Sequence, residues 1–259
     1  VVKKQQVNIA QSSSVLGGNT AIKLAAVDEA QVSVDSSLVK GGKIGLSLSA
    51  KKAAVTLKNA NVSAADTAIE LNAQDKHKLQ LTQSYMTDSA TAIKLMGSGK
   101  VNIEIQGGQV GKMGRVLLQQ SNSDKAMSIS NNQGWLAGNI AATGKVSVTN
   151  KDANSTIEMG NNWNLNGGKL ENKGQLYIAG KGSIGTTYLN GELQQNGSGK
   201  LFLDADFANN RHDQLVLTNT NVGADLHETK IIIDAISYKP GASATIISTS
   251  GNKQVRFNK

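Results

Sequence analysis

The chain has 259 residues with 27 glycines, one proline, no cysteine, 3% aromatic residues and a formal net charge of +8. Lacking cysteine, it can form neither disulfides nor thiolate metal sites, and no apolar run approaches the ~18 residues of a membrane-spanning helix. So few aromatics argue against a β-sandwich core and for a narrow core filled by stacked Val, Ile and Leu.

Residues 1–18 read as an entry row. Val7 and Ile9 form its strand, and Ser12, Ser13, Ser14, Gly17 and Gly18 its corner. Val1 to Ile9 already alternates like a strand, so the stretch reads as a trimmed or mature piece without a signal peptide at its start.

Rows of about 24 residues follow. One apolar column runs Leu24, Leu48, Leu71, Leu95, Leu118, and a second Val34, Leu57, Leu81, Ile105, Ile129. A third runs Leu38, Val62, Met86, Val110, Trp135, and a column of small residues runs Ser36, Ala60, Ser84, Gly108. A fixed period of this size marks a solenoid, whose repeats bury their apolar faces against their neighbours. Within each row the anchors sit in alternating triplets such as Val55-Thr56-Leu57 and Ile103-Glu104-Ile105. Apolar–polar–apolar is the period of a strand buried on one face. Uneven anchor spacing suits three short strands per row. A leucine-rich repeat also permits this row length, but its Asn ladder would fall on Ala60, Ser84 and Gly108. The reading is all-β: a right-handed parallel β-helix of about eleven rows, roughly 50 Å tall.

Two regions are expected. Residues 1–135 hold the regular rows. In residues 136–259 the period tightens and Asn and Gly punctuate the strands, as at Asn166-Gly167-Gly168 and Asn190-Gly191. These residues tolerate left-handed backbone in tight turns. Short strands fall at Val146–Val148, Leu176–Ile178, Leu201–Leu203 and Leu215–Leu217, and the last at 230–237 and 244–249, followed by Phe257 close to the final residue, Lys259. A hairpin-rich C-terminal cap would close the stack.

Chemical sites are sparse. The three histidines are His77, His212 and His227. His77 sits in a lysine-rich corner where a metal cation is unwelcome. No Gly-x-Ser-x-Gly elbow occurs, and Asp28, Asp75, Asp88 and Asp124 occupy different corners, so no acidic column suggests a calcium-dependent lyase. No catalytic residue, metal ligand or cofactor is assigned.

One basic constellation stands out. Lys52, Lys76 and Lys100 recur every 24 residues, Lys125 continues them within one residue, and Lys51 and Lys78 flank them. Stacked in one corner, these six residues are either a solvated corner or a linear anion site. A rod of pI near 9.5 attracts sulfated glycans or acidic surfaces. Nucleic acid fits less well, because the aromatic platforms that stack single strands are absent.

The C-terminal texture carries a resemblance. Leu189-Asn190-Gly191-Glu192-Leu193-Gln194-Gln195-Asn196-Gly197-Ser198-Gly199-Lys200-Leu201-Phe202-Leu203-Asp204 precedes His212-Asp213-Gln214-Leu215-Val216-Leu217, and Pro240-Gly241 leads into Ile246-Ile247. In order and spacing this resembles the end of the passenger domain of classical Gram-negative autotransporters, over about the last hundred residues. The resemblance implies a passenger exported by its own C-terminal translocator β-barrel, with an autochaperone-like end that folds first, secreted or held at the outer surface. Such passengers serve as adhesins, proteases and toxins. Some small basic ones, such as the Bartonella angiogenic factors, are growth-factor-like ligands of host receptors. The expected role is a non-enzymatic virulence factor that binds a host cell-surface receptor or sulfated glycan. Two alternatives stay open: the folding and stem region of a much larger adhesin, and a glycan-cleaving β-helix enzyme.

Overall fold

The computed structural model describes residues 2–121, 125–219, 223–226, 229–250 and 255–257. It is a single parallel β-solenoid, without helix among the described residues, coiling through about nine turns. Three ladders make its faces. The first links eleven strands: Lys4–Ile9, Glu29–Asp35, Ile44–Lys58, Thr67–Met86, Lys100–Gln120, Met127–Asn132, Val146–Asn150, Thr156–Asn172, Thr186–Gln195, Ala224–Leu226 and Val255–Phe257. The sequence pattern predicts about eleven rows; the coil makes about nine turns. At the two ends of this ladder Val7, Ile9 and Val255 are only partly buried. Each strand pairs with the coils above and below, so parallel sheet forms without helical crossovers.

Alternation places one side chain in two inside. The interior is one continuous cluster of Val, Leu, Ile, Met and Ala, and it includes Leu46, Leu57, Leu71, Leu81 and Ile93. Like residues stack roughly 4.8 Å apart, so each buried Leu covers the next.

The columns hold through four coils and then shift. Leu24, Leu48, Leu71 and Leu95 stand in direct register. Leu118, however, opposes Ile93, and Gln120 takes the place below Leu95. Val34, Leu57, Leu81 and Ile105 likewise hold, but Ile129 pairs with Ile103, and Ile105 faces Asn131. The physical cause is an irregular coil. The register slips between Gly111 and Val116 and again before Leu118, so a count of 24 no longer lands on the same rung.

The third column is offset by one at both ends. Val39, Val62, Met86, Val110 and Leu136 point inward, whereas Leu38 pairs with outward-facing Asn61 and Trp135 with Gln109. With a period of two, an offset of one moves a side chain to solvent. The small column is Ser37, Ala60, Ser84 and Gly108. Ser36 precedes it in left-handed backbone, as do Asn59, Gln83 and Gly107. Smallness is required there, since a Cβ on Gly108 would lie 2.1 Å from the Ser84 carbonyl oxygen.

From the sixth coil onward the inward position after Ile105 is amide. Asn131 Nδ2 donates to Asn150 Oδ1 at 2.8 Å, Asn150 Nδ2 to Asn172 Oδ1 at 2.7 Å, and Asn172 Nδ2 to Gln195 Oε1 at 2.6 Å. All four are buried. Each asparagine amide also donates to a carbonyl of the following corner: Gly134, Ser155 and Gly174. The steps are 19, 22 and 23 residues, against 23 or 24 between Val34, Leu57, Leu81 and Ile105.

An antiparallel hairpin interrupts the C-terminal coils, pairing Lys200–Asp206 with Arg211–His212. Behind it, buried Asp213 accepts from the backbone N–H groups of Asp204 at 2.7 Å and Gly185 at 2.9 Å. The strand Lys230–Ser237 lies at the end of its ladder and leaves Ile233 and Ile236 exposed.

Candidate functional site: the lysine corner

The corner at the start of the first face belongs to unbroken strands. Ile44–Lys58 bends at Ala50–Lys52 with a register shift, and Thr67–Met86 turns through Asp75 and Lys76. Immediately after the bend Lys52 pairs with Lys76, and Lys76 with Lys100. Three ammonium groups therefore leave the backbone from consecutive rungs, all exposed. Their Cα atoms span two rungs, roughly 10 Å. Like charges directly opposite in a sheet repel, so the ammonium groups splay into solvent unless an anion lies between them.

Acidic groups bound this row. Glu29 pairs with Lys52 one coil earlier. A hydrogen bond from Gln31, then one from Lys4, hold the Glu29 carboxyl below the usual carboxylate range, and Lys4 Nζ stands 3.4 Å from it. Beyond Lys100 on the same strand, Glu104 accepts from Gln80 Nε2 at 3.0 Å and Asn102 Nδ2 at 2.9 Å. These bonds, Gln80's foremost, lower its pKa, with a smaller contribution from Lys78. Both carboxylates stay ionised at neutral pH, so an anion fits along the corner and not across the face.

The remaining predicted residues divide. Lys51 is paired with Asp28 at 3.2 Å, so its charge is already matched. Lys78 is half-buried on the first face, in register with Ala54 and Asn102. It shares the outward side of Lys76 but not its column. Lys125 is out of register by one, because Val101 pairs with Met127 and so places Ala126 below Lys100. Its side chain is exposed and already engaged in an interaction.

His77 is the residue the sequence reading undervalued. It points inward between Ala53 and Val101, directly behind the lysine row, and is 1% exposed. Nε2 accepts the Ala73 N–H at 3.0 Å and lies 2.9 Å from the Met96 oxygen, and Nδ1 lies 3.3 Å from the Gly99 oxygen. With its hydrogen on Nδ1 the neutral ring fastens this corner to the next. Burial pushes its pKa down, outweighing the backbone hydrogen bonds. The clue was its parity with Leu79 and Leu81, which also face inward.

His212 places Nε2 3.2 Å from the Thr245 oxygen at the hairpin, and His227 lies outside the described residues. Among the described residues, no three His, Asp or Glu side chains converge as a metal site would require. Comparison with protein-family profiles, with curated proteins and with solved structures finds no match for this chain.

Proposed function

We propose that this chain is the passenger of a Gram-negative autotransporter, secreted or held at the outer surface, and that it binds host cells by gripping a sulfated glycan along the lysine corner. The observation that carries the reading is the direct register of Lys52, Lys76 and Lys100, which repeats one positive charge on every rung for three coils. A linear polyanion with repeated sulfates is the matching ligand, since each ammonium meets an anionic group and the repulsion within the row is relieved. The order of motifs from Leu189 to Leu217 supports the family assignment. In this reading the rod acts as an adhesin or receptor ligand without enzymatic activity, and its own translocator barrel is a partner during export.

Heparin affinity tests it. Changing Lys52, Lys76 and Lys100 together to Gln keeps long polar stems, and elution moves to markedly lower salt, because bound counterions are no longer displaced at the row. The control triple Lys23, Lys112 and Lys230 to Gln removes the same charge from other positions. Equal shifts for both triples would show that net charge alone drives retention.

A further inference from the structure

A second surface has the opposite character. Its corner residues are Ser36, Asn59, Gln83, Gly107 and Gln133, all in left-handed backbone. The first outward position beyond that corner runs Leu38, Asn61, Tyr85, Gln109 and Trp135 in unbroken register. None of these ten residues bears a charge, in a chain that is 18% charged. Two of them are large exposed aromatics, Tyr85 at 48% and Trp135 at 38%.

Aromatic residues are scarce here, and their placement is informative. Of two tryptophans, Trp163 is fully buried and donates its Nε1–H to the Gly138 oxygen at 2.7 Å. The other lies in the open, in the same column as a tyrosine. Tyr188 is also exposed, but its rung neighbours are Asn162 and Val216. Exposed aromatic rings with an apolar body and a polar tip favour ligands that offer both.

From this we infer that the column Tyr85–Gln109–Trp135 binds a neutral, extended β-linked polysaccharide laid along the solenoid axis. The two rings stand two rungs apart, roughly 10 Å. In an extended β-linked chain alternate sugars present the same face, so ring-to-ring spacing corresponds to two sugar residues. Tyr85 and Trp135 would each stack on the apolar C–H face of a pyranose. Gln109, on the rung between, is half-buried with its Nε2 donating to the Gly111 oxygen at 3.4 Å, which leaves its Oε1 to accept from a hydroxyl of the intervening sugar. A hollow beside Tyr85, lined by Ser13, Ser37, Asn59 and Asn61, extends the row of hydroxyl and amide groups. Lack of charge along the strip favours a neutral chain over a sulfated one. The strip begins at the opposite end of the first-face strands from the lysine row, so the two sites use different residues.

The test uses cellohexaose and chitohexaose, with titration calorimetry and tryptophan fluorescence on the full chain. At least one oligosaccharide should bind and perturb the emission, with Trp135 as the reporter because Trp163 is enclosed. Tyr85→Ala and Trp135→Ala should each weaken binding about tenfold, and the double variant should abolish it. Tyr188→Ala and the lysine triple should bind as the parent does. Circular dichroism matching the parent confirms that each variant is folded, and Trp135→Tyr, which keeps a ring, should retain most of the affinity. The proposal is overturned if neither sugar binds the parent, or if Tyr188→Ala weakens binding equally. It is also overturned if the double variant loses cell attachment while the parent binds neither sugar, which would make the strip a protein-docking surface. Loss of heparin retention in the lysine triple with intact oligosaccharide binding would separate this site from the lysine corner.

Discussion

The same inward position along the first face is filled in two ways. In the N-terminal coils it holds Val34, Leu57, Leu81 and Ile105; in the following coils it holds Asn131, Asn150, Asn172 and Gln195. Backbone geometry is common to both, and the chemistry is not. An apolar stack is stabilised by area and tolerates small sliding, because dispersion and hydrophobic burial have no direction. An amide ladder is stabilised by aligned hydrogen bonds and tolerates none, since a displaced rung leaves a buried donor and acceptor unpaired. The comparison teaches that the solenoid uses bulk where its rows are regular and hydrogen bonds where row lengths vary between 19 and 23 residues. The ladder fixes which residues meet when row length does not.

The largest expected effect breaks the apolar half. Leu81→Asp places an unpaired charge at a position 1% exposed. It should cost more than about 4 kcal/mol and unfold the neighbouring coils, read as loss of the cooperative denaturant transition. A variant that melts like the parent would refute the column assignment.

Next comes the amide half. Asn150→Leu strips an acceptor from Asn131 and a donor from Asn172, and should destabilise by about 2–4 kcal/mol. Replacing Asn131, Asn150 and Asn172 together by Leu should recover part of that loss while broadening the transition, because the rungs are no longer registered. If the single and triple variants broaden equally, the ladder does not set register.

Acid separates the two halves. Burial lowers the His77 pKa below its ordinary 6.5, so its stabilising neutral form is complete above that value and is lost as pH falls below it. Burial raises Asp213 from 3.8 to about 7, outweighing the backbone N–H bonds from Asp204 and Gly185 that lower it, with a smaller upward push from the Asp204 charge. Its contribution is complete below 3.8 and is lost as pH rises to about 7. Hydrogen exchange at pH 7 and pH 5 should therefore show the lysine-corner coils opening more readily in acid and the hairpin region less readily. His77→Gln and Asp213→Asn should each flatten their own region's response. A parallel response of both regions would contradict this assignment.

The smallest effect sits on the surface. Lys76→Gln removes the middle charge of the row and should stabilise by a few tenths of a kcal/mol at low salt, with the gain vanishing at high salt. A loss of stability would mean the lysine stems contribute packing that outweighs their repulsion.

The coil and its first four rows were legible because apolar residues recur at a fixed period and strands alternate. Legibility failed where an irregular coil broke the count, so Leu118 and Ile129 went to rungs they do not occupy. The amide ladder was hidden for a different reason. Asn172 lies among glycines and other asparagines, and such texture reads as turns. Only burial separates a turn asparagine from an inward one. The lysine row was visible because Lys52, Lys76 and Lys100 share the period of the core. His77 and Asp213 were not, since a buried polar group is recognised by the backbone groups it meets.

The amide ladder has a direction. Every Nδ2 donates toward the C-terminal rung, so the buried atoms left without a partner fall at its two extremes: Asn131 Oδ1 at one and Gln195 Nε2 at the other. A rung added between Asn150 and Asn172 would gain a hydrogen bond and create no new orphan, whereas a rung changed at either extreme alters the termination itself. The molecule is thus easiest to lengthen from within, and a lineage that duplicated interior coils could grow the rod while leaving both ends, and the surfaces they carry, unchanged.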